Sequence, residues 1–552
     1  MLTIPKKKNF WFLPLGGAGE IGMNMNLFGH NKEWIMVDCG ITFGDRLGID
    51  IIMPDPSSIL DYVDNLKAIV LTHAHEDHIG AVPYLWPFFK CPVYATPFTA
   101  QVLRHKLEEK SWGKQVPIIE VPLSGRVNIG SFDVEYITLT HSIPEPNALA
   151  IRTEHGCVLH SGDWKIDTDP MLGDVTDSNR LKEIGDEGVL ALVCDSTNVF
   201  EKENAGSESD VSAELEKLLP QIDTGRIIVC CFSSNLARIQ SIAFAAHKAG
   251  RKVALVGRSL ERMVRAADLS GYLKGLPGFI TMDQAMDMPR DKVLLISTGS
   301  QGENRSALAK ISLKEHPSIS LDEGDTVIFS SRVIPGNEKG IAAMQNRLIH
   351  QGIRLITSND EDVHVSGHPG QADLIAMYNW LRPKSLIPVH GEARHIHAQA
   401  DLGIAHGVPH TLIIQNGSLV ELAGEFPEII NTISSGRWGI DGKCLVNMQS
   451  TILKERNKIS IQGMIFISVP VDDIYQLQGK SVISFTGIVE HGEETDLLNE
   501  ALQNIVRKTM RQDMGNEKRY HEALQQSIKQ ECNQRFGKKP IVDVHFVKNN
   551  MG

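Results

Sequence analysis

The sequence predicts an α/β protein built from several domains. Apolar runs typical of strands, such as FWFLPL, WIMVDCG and AIVLT, alternate with amphipathic runs typical of helices. The chain has 552 residues, which is too long for one hydrophobic core and favours three or four folding units. In the first 197 residues, the polar clusters that could carry chemistry all sit at the ends of predicted strands.

Changes in this pattern divide the chain into domains. Residues 1–197 are predicted to form one layered α/β unit. Residues 198–362 hold amphipathic helices between buried strands of the parallel type, such as RIIVCCF and KVLLIST, and predict a second α/β domain. The histidine-rich pattern returns at 363–424, so the second domain is predicted to be inserted into the first. Residues 425–447 suit a linker, and residues 448–552 suit a small α/β C-terminal domain.

Composition favours a soluble protein that is not exported. Hydrophobic residues make up 42% of the chain and charged residues 22%, and we find neither an apolar run of membrane-spanning length nor a signal sequence. We therefore expect a cytoplasmic protein without membrane contact. The net charge of −12 argues weakly against a polyanionic partner, although bound dications and local basic patches can offset it.

Cysteine usage restricts the kind of metal site that the chain can build. The eight cysteines include no CxxC pair and lie in apolar stretches, so we expect reduced, buried thiols. A cysteine zinc knuckle needs paired cysteines at short spacing. Any metal must therefore rest on histidine and carboxylate ligands.

A histidine cluster follows the strand pattern AIVLT and predicts a metal centre. The run HAHEDH supplies four metal-ligand side chains, which are His73, His75, Asp77 and His78. Residues two apart in an extended segment share a side, so the first two histidines can grip one cation while the aspartate and the last histidine face a second. The alternative for any single histidine is a loop that simply faces solvent.

Three further strand-end residues complete a set of seven ligands: His141 in TLTHSIPE, Asp163 in HSGDWK and His390 in IPVHGE. Seven ligands suit two closely spaced divalent cations, with Asp163 able to bridge them and a hydroxide held between them as the nucleophile. All seven are nitrogen or oxygen donors. The set predicts zinc, with manganese as the alternative if carboxylate character dominates.

The motifs HAHEDH and VDCG, together with His141 and Asp163, resemble those of the metallo-β-lactamase superfamily. The resemblance implies an αββα sandwich that carries the inserted α/β domain and the C-terminal domain. It also implies how the ligands divide: His73, His75 and His141 on one metal, Asp77, His78 and His390 on the other, and Asp163 between them. Asp38 of VDCG would brace the site from behind the ligands.

Further motifs resemble a subgroup of this superfamily. The insertion and the sequences CDST, HVSGH and PVHGE resemble the β-CASP nucleases. RNA-cutting members of that subgroup carry a histidine at the position of His390, where DNA-repair members carry a valine, so the resemblance implies RNA. PLGGAGEIGMN, TGSQGE, SSRVIPGNE and HVSGHPG are similar to the ribonuclease J family across essentially the whole chain. The segments KEN and NRSALAKI depart from the family pattern, which leaves details of the RNA grip open.

The ribonuclease J resemblance carries several expectations about activity and partners. It implies a metal-dependent ribonuclease that works as a 5′-to-3′ exonuclease, prefers a 5′ monophosphate and has some endonuclease action in RNA maturation and decay. It implies single-stranded RNA as the ligand, a homodimer or homotetramer, and RNA-decay or ribosome-associated proteins as further partners. A structural calcium near residues 47–50, with Asp441 contributing, is also expected from the family.

The reaction itself predicts further site residues. Attack on phosphorus needs a proton for the departing 3′ oxygen, and we predict that His368 and Asp195 form this proton relay. The HVSGH segment sets small residues between two imidazoles, which predicts a phosphate clamp made of His364, Val365, Ser366, Gly367 and His368. The alternative for His364 is a buried structural histidine, and the alternative for Asp195 is a helix-cap carboxylate.

A pocket for the 5′ phosphate is predicted where CFSSNLARIQ opens a helix. The side chains of Ser233, Ser234 and Asn235 lie at the helix N-terminus, which favours an anion, and Arg332 is predicted to add charge. The alternative is that these polar residues merely cap the helix.

Competing functions are less consistent with the sequence. GAGEIG matches the glycine pattern of a dinucleotide site, but the next residues alternate like a hairpin strand instead of opening a helix. A DNA nuclease of the same subgroup, a small-molecule thioester hydrolase and an inactive RNA-binding scaffold also compete. The large insertion disfavours a small substrate, and the complete ligand set disfavours an inactive scaffold.

Overall fold

The computed structural model describes residues 2–334, 336–490 and 492–548, and the chain divides into two units. Unit 1 consists of Met1–Phe43 with Ile51–Gly436, and unit 2 consists of Gly44–Asp50 with Arg437–Gly552. In the described part of the chain, no helix is both long and apolar enough to cross a membrane.

Strands and helices alternate along the first 195 residues. The strands are β1 (Phe10–Gly16), β2 (Ala18–Gly19), β3 (Met25–His30), β4 (Glu33–Val37), β5 (Thr42–Arg46), β6 (Ile49–Pro54), β7 (Leu66–Val70), β8 (Val93–Ala95), β9 (Ile118–Glu120), β10 (Arg126–Ile129), β11 (Phe132–Thr138), β12 (Asn147–Thr153), β13 (Gly156–His160) and β14 (Val189–Asp195). The helices are α1 (Ser57–Leu60), α2 (Glu76–Ile79), α3 (Val82–Phe89), α4 (Pro97–Leu107) and α5 (Ser178–Glu187). The glycine-rich stretch after β1 leads into β2 and β3, so the helix that a dinucleotide site requires is absent from these described residues.

A second α/β layer follows β14. Its helices are α6 (Glu208–Leu218), α7 (Leu236–Lys248), α8 (Arg258–Leu269), α9 (Met282–Asp287), α10 (Ala307–Ser312) and α11 (Glu338–Ile349). Its strands are β15 (Ile227–Cys230), β16 (Lys252–Val256), β17 (Val293–Ser297), β18 (Thr326–Phe329) and β19 (Arg354–Ile356). They form a parallel sheet in the order β16-β17-β15-β18-β19. The apolar strand runs in the sequence arise because helices cover a parallel sheet on its faces.

After this second α/β layer, the chain returns to the two sheets that contain β1 and β14. The returning elements are α12 (Gln371–Leu381), β20 (Ser385–Val389), β21 (Gly391–Glu392), α13 (Ala393–Ala405), β22 (His410–Thr411), β23 (Ser418–Glu421) and β24 (Glu428–Thr432). Strand β20 pairs in parallel with β14, with Val389 opposite Asp195. Because parallel strands end at the same sheet edge, this register brings the residues after β20 beside those after β14.

Two sheets face each other in unit 1. Their strand orders are β24-β23-β1-β3-β4-β7-β8-β9 and β10-β11-β12-β13-β14-β20-β22. Their inner faces share a core of buried side chains that includes Phe12, Phe28, Val70, Tyr136 and Val193. Helices α5, α12 and α13 cover the outer face of the second sheet, and α4 packs against β8 and β9. The αββα sandwich with an inserted α/β domain is therefore confirmed.

Unit 2 has its own core. Its elements are β25 (Arg437–Asp441), β26 (Cys444–Asn447), α14 (Thr451–Gln462), β27 (Met464–Val471), β28 (Val482–Thr486), α15 (Glu493–Met510), α16 (Glu517–Phe536) and β29 (Ile541–Lys548). Strand β27 pairs antiparallel with β28 and parallel with β29. Side chains from the long helices, such as Leu502 and Leu524, pack on this sheet.

The segment 425–447, expected to be a linker without long regular elements, contains strands β24, β25 and β26. Every residue of β24 is exposed, so this strand shows no alternation of apolar and polar residues that sequence patterning could detect.

Candidate metal centre

The HAHEDH run forms a turn between β7 and α2. Strand β7 is buried, and the chain continues through Leu71 and Thr72 before His73, which is also fully buried. His75 takes extended backbone angles at the start of α2, and the short helix then turns Asp77 and His78 toward the same side of the chain. The change from strand to helix within six residues is what brings four ligand side chains to one place.

The first ligand group joins this turn to two other strand ends. Nδ1 of His75 lies 3.1 Å from Nε2 of His73 and 3.1 Å from Nε2 of His141. Oδ2 of Asp163 lies 3.9 Å from each of those two Nε2 atoms. Three imidazoles and a carboxylate therefore surround one position that could hold a cation.

The second ligand group shares Asp163 with the first. Nε2 of His78 lies 3.2 Å from Asp163 Oδ2 and 3.6 Å from Asp77 Oδ2. Nε2 of His390 lies 3.2 Å from Asp77 Oδ2, and its Nδ1 lies 3.6 Å from Asp163 Oδ1. The structure thus brings all seven predicted ligands into two adjoining groups that could each hold a metal ion.

Asp38 lies directly behind the second group. Its Oδ2 accepts a hydrogen bond of 2.7 Å from Nδ1 of His78, and its Oδ1 accepts one of 2.8 Å from the backbone N–H of Thr72. Because Nδ1 of His78 donates to this carboxylate, Nε2 carries the lone pair that faces the ligand group.

Two polar side chains beside Asp38 were not predicted from the sequence. Asn24 Nδ2 lies 3.1 Å from Nε2 of His78, and Thr72 Oγ1 lies 3.0 Å from Nδ1 of His73. Asparagine and threonine are common at strand ends, so their residue types alone gave no signal.

The buried carboxylates of this site require positive partners. Burial acts against the protonated form of His390, but the carboxylates of Asp163 and Asp195 together outweigh it and raise the pKa of this imidazole. Burial acts against the charged form of Asp77, but His78 and His390 together outweigh it and bring the pKa of this carboxyl to about 2. Bound cations would supply positive charge beside these carboxylates.

His368 and Asp195 form a hydrogen-bonded pair beside both groups. Nδ1 of His368 lies 2.8 Å from Oδ2 of Asp195, which is the last residue of β14. Oδ1 of Asp195 accepts from the backbone N–H and the hydroxyl of Thr197, at 2.9 and 2.7 Å. Asp195 therefore caps a turn rather than a helix. Burial opposes protonation of His368, but Asp195 outweighs it and raises the pKa of His368.

The HVSGH segment touches the first ligand group. The carbonyl of Gly367 accepts a hydrogen bond from Nδ1 of His141, and a Cβ at Gly367 would lie 2.7 Å from Cε1 of that imidazole. Only glycine allows this approach. The hydroxyl of Ser366 accepts from Asn198 and from the backbone N–H of His368, at 3.1 Å for the latter.

His364 has a buried nitrogen without a partner. Its Nδ1 finds no hydrogen-bond partner among the described residues. Burial, followed by the charge of Arg238, lowers the pKa of His364 to about 3. A neutral imidazole with an unsatisfied buried nitrogen costs free energy unless a bound group completes its hydrogen bonding.

The predicted 5′-phosphate residues are only partly available. Asn235 is buried, its Oδ1 caps α7 by accepting from the Arg238 N–H at 2.9 Å, and its Nδ2 donates to Glu208 at 3.1 Å. The capping alternative therefore describes Asn235, because both ends of its amide are already used. Ser233 and Ser234 lie half-buried in the preceding turn.

Arg332, expected to contact the 5′ phosphate, and Asp441, expected to bind calcium, are each paired with an oppositely charged side chain. The guanidinium of Arg332 forms an ion pair with Glu201. In unit 2, Arg456 bonds to Asp441 at 2.8 Å and to the Leu47 carbonyl at 2.7 Å. A guanidinium thus occupies the oxygen atoms expected to bind calcium, so the calcium expectation receives no support from this geometry.

Family models match four consecutive parts of the chain. They are the metallo-beta-lactamase superfamily at residues 19–179, the ribonuclease J beta-CASP domain at 224–348, the Zn-dependent metallo-hydrolase RNA specificity domain at 359–412, and the ribonuclease J C-terminal domain at 451–549.

Relatives match nearly the whole length. A protein named Ribonuclease J from Sinorhizobium meliloti is 44% identical over 97% of both chains. One named Ribonuclease J 1 from Streptococcus pyogenes is 35% identical over 96% of both. A crystal structure of a protein of unknown function from Enterococcus faecalis matches 75% of this chain and all of its own with a TM-score of 0.52 at 16% identity, a likeness that shows the fold alone.

The fold and the His/Asp groups define a hydrolase of the metallo-β-lactamase superfamily that uses divalent metal ions and acts on phosphodiester bonds. Two further findings identify the family within this class of hydrolases. The inserted and C-terminal domains match ribonuclease J models, and the similarity to the relatives extends over nearly the full length of the chain. The chain belongs to the ribonuclease J family. It is a metal-dependent nuclease of RNA processing that binds RNA.

Proposed function

We propose that this chain degrades single-stranded RNA from the 5′ end, prefers a 5′ monophosphate and also makes internal cuts. It would serve RNA maturation and decay in the cytoplasm. The observation that carries this proposal is the pair of ligand groups that share Asp163, with the His368–Asp195 pair beside them. The relatives named Ribonuclease J support RNA over DNA as the substrate.

The donor set fits two divalent cations. Five imidazoles and two carboxylates with nitrogen and oxygen donors favour zinc, and the two carboxylates of the second group, Asp77 and Asp163, make manganese the second candidate. When bound, the cations supply Lewis-acid charge and activate water as a nucleophile near neutral pH. Asp163 would hold both positions, and Asp38 would keep His78 in the tautomer that accepts a metal.

His368 is the proposed proton donor to the departing 3′ oxygen. Its Nδ1 bond to Asp195 fixes the ring orientation and leaves Nε2 as the nitrogen that can exchange a proton with substrate. The side chain is 24% exposed, unlike its fully buried partner, so it can reach a bound strand. Asp195, held by Thr197, positions the imidazole.

The HVSGH segment is the proposed clamp for the scissile phosphate. The unsatisfied Nδ1 of His364 supports a role in ligand binding, because a phosphate oxygen would complete its hydrogen bonding. Gly367 keeps the backbone close to His141, so a phosphate held by this residue with Val365 and Ser366 would lie beside the first ligand group.

The 5′-phosphate pocket is proposed at the turn before α7, with Ser233 and Ser234 as donors. Asn235 would shape the turn instead of contacting the phosphate. Arg332 and Glu201 are 57% and 50% exposed, so a 5′ phosphate could replace this carboxylate at little cost.

The test uses one RNA sequence with a 5′ monophosphate, a 5′ triphosphate or a circular backbone, and the matching single-stranded DNA. We expect mononucleotides from the monophosphate RNA, slower decay of the triphosphate, slow internal cutting of the circle, and no product after chelation. Equal rates for the two 5′ ends would remove the proposed pocket. Faster cutting of DNA than of RNA would overturn the substrate.

Assembly is a separate proposal. Unit 2 exposes apolar side chains, including Ile461, Ile474 and Val482, and β28 lies at an edge of its sheet. Val482 is on the edge strand β28, Ile461 is on α14 and Ile474 follows β27. Exposed apolar groups and an open sheet edge favour self-association, so a homodimer or homotetramer is proposed, with RNA-decay or ribosome-associated proteins as further partners. Light scattering during size-exclusion chromatography would return a monomer mass if this is wrong.

A further inference from the structure

A second cluster of metal-binding side chains lies elsewhere in unit 1. It consists of His30, Glu154 and His155, and one ligand atom of each lies within 4.8 Å of the other two. His30 ends β3, whereas Glu154 and His155 form the turn between β12 and β13. The two imidazole rings are 5.3 Å apart and nearly perpendicular.

Backbone carbonyls fix the tautomers of both histidines. Nδ1 of His30 lies 2.8 Å from the carbonyl oxygen of Asn9, and Nε2 of His155 lies 2.8 Å from that of Lys7. A carbonyl can only accept, so each of these nitrogens carries the proton. The lone pairs are therefore on Nε2 of His30 and Nδ1 of His155. Metal-binding histidines characteristically donate their other N–H to a carbonyl in this way.

Among the described residues, the carboxylate of the cluster has one ion-pair partner, and that pair is weak. Oε2 of Glu154 lies 3.4 Å from Nζ of Lys7, and the two side chains are 48% and 73% exposed. Exposed ion pairs of this kind contribute little to stability. A divalent cation that gains two imidazoles as well as this carboxylate would displace the ammonium.

We propose that His30, Glu154 and His155 bind a further divalent transition-metal ion of the zinc class, distinct from the two of the catalytic centre. Two imidazoles and one carboxylate are a common zinc ligand set, with water completing the coordination. His30 is at the end of β3 opposite to Asn24, so six residues of strand, or about 20 Å, separate the cluster from the catalytic ligands.

The ion would join the two sheets of the sandwich. Strand β3 belongs to one sheet and the β12–β13 turn belongs to the other, and the carbonyls of Lys7 and Asn9 add the N-terminal segment to the same assembly. An ion that binds only the folded chain shifts unfolding to higher temperature. The site is therefore structural and does not depend on the proposed function.

The test measures how much zinc the unmodified chain and two variants bind per chain after dialysis in micromolar free zinc. The variant His155→Gln keeps a donor for the Lys7 carbonyl but loses the lone pair, and Glu154→Gln changes an exposed residue that endangers no core. We expect each variant to lose one equivalent of zinc relative to the unmodified chain. RNA cleavage should be unchanged. When loaded with cobalt, each variant should lack the absorption of one of the cobalt ions that the unmodified chain binds.

Removing the Lys7 ammonium, which competes for Glu154, is expected to strengthen zinc binding. Lys7→Met should tighten binding of the extra zinc by about two- to fivefold, while Lys8→Met, one residue away, should leave it unchanged. Equal zinc content in the unmodified chain and in both His155→Gln and Glu154→Gln would overturn the proposal. So would the same affinity in Lys7→Met and Lys8→Met.

Discussion

Asp38 and His78 are joined by a hydrogen bond of 2.7 Å at a depth where neither side chain is reached by solvent. Asp38 also has a positive φ of 62°, a conformation that aspartate and asparagine tolerate better than most residues. The carboxylate therefore acts on the metal centre through the imidazole, without being part of either ligand group.

Asp38→Asn is expected to weaken metal binding by about 10- to 100-fold, because the amide can no longer enforce the Nδ1–H tautomer of His78. Zinc competition with a chromogenic chelator measures the affinity. The matched control is Asp64→Asn, which changes an exposed residue in the helical turn before β7. An affinity equal to that of the control would show that Asp38 does not orient the ligand.

His368→Asn is expected to lower turnover by about 10²- to 10⁴-fold while the metal content stays constant. The asparagine amide retains a donor for Asp195, so the turn at β14 is preserved and only the exchangeable ring nitrogen is lost. Single-turnover cleavage and metal analysis of the same sample separate the two effects. Parallel loss of metal and activity would make His368 a structural residue.

Glu208→Gln is expected to destabilise the inserted domain by about 3–5 kcal/mol. Glu208 pairs with Arg238 at 3.0 Å, and both side chains are almost completely buried, so the substitution leaves an uncompensated guanidinium. Calorimetry should show a lower unfolding temperature. Glu216→Gln, on the same helix and in the exposed pair with Lys248, should leave that temperature unchanged.

The same guanidinium predicts an effect on activity. Arg238 also donates to the carbonyls of Ser330 and Val363, at 3.0 and 2.9 Å, and Val363 directly precedes the HVSGH segment. Arg238→Met is therefore expected to raise the KM for RNA, while the metal content stays close to that of the unmodified chain. Unchanged RNA binding in a folded Arg238→Met protein would separate this residue from the clamp.

Glu135→Gln is expected to lower the unfolding temperature at neutral pH and to have a smaller effect in acid. Burial opposes the charged form of Glu135, but Arg180 and Arg152 outweigh it and lower its pKa below 4.5. The stabilisation is therefore present above pH 4.5 and is lost as the pH falls through the lowered pKa. Thermal melts across this range test the sign, with Glu183→Gln as the control for the exposed Arg180 pair.

The ligand residues could be predicted because each follows an apolar strand run. His73, Asp163 and His390 follow β7, β13 and β20. The parallel pairing of β13, β14 and β20 brings Asp163 and His390 to one edge of their sheet, and His73 comes from the facing sheet.

Other features depend on tertiary contacts that no local pattern encodes. Glu208 and Arg238 are 30 positions apart, and they pair only because α6 and α7 pack together. The ion pair between Arg456 and Asp441 depends on where α14 lies, which its sequence does not specify. His30 and His155 are 125 positions apart and at the opposite strand ends from the catalytic ligands, so neither stood out from an ordinary surface histidine.

His390 meets Asp77 across 313 positions of chain, with the whole inserted domain between them. During synthesis the first ligand group is complete once Asp163 has emerged, but the second is not. A growing polypeptide therefore lacks the paired arrangement until its β20 strand has left the ribosome and docked on β14. A chain that ends before β20 therefore lacks His390 and cannot complete the second ligand group.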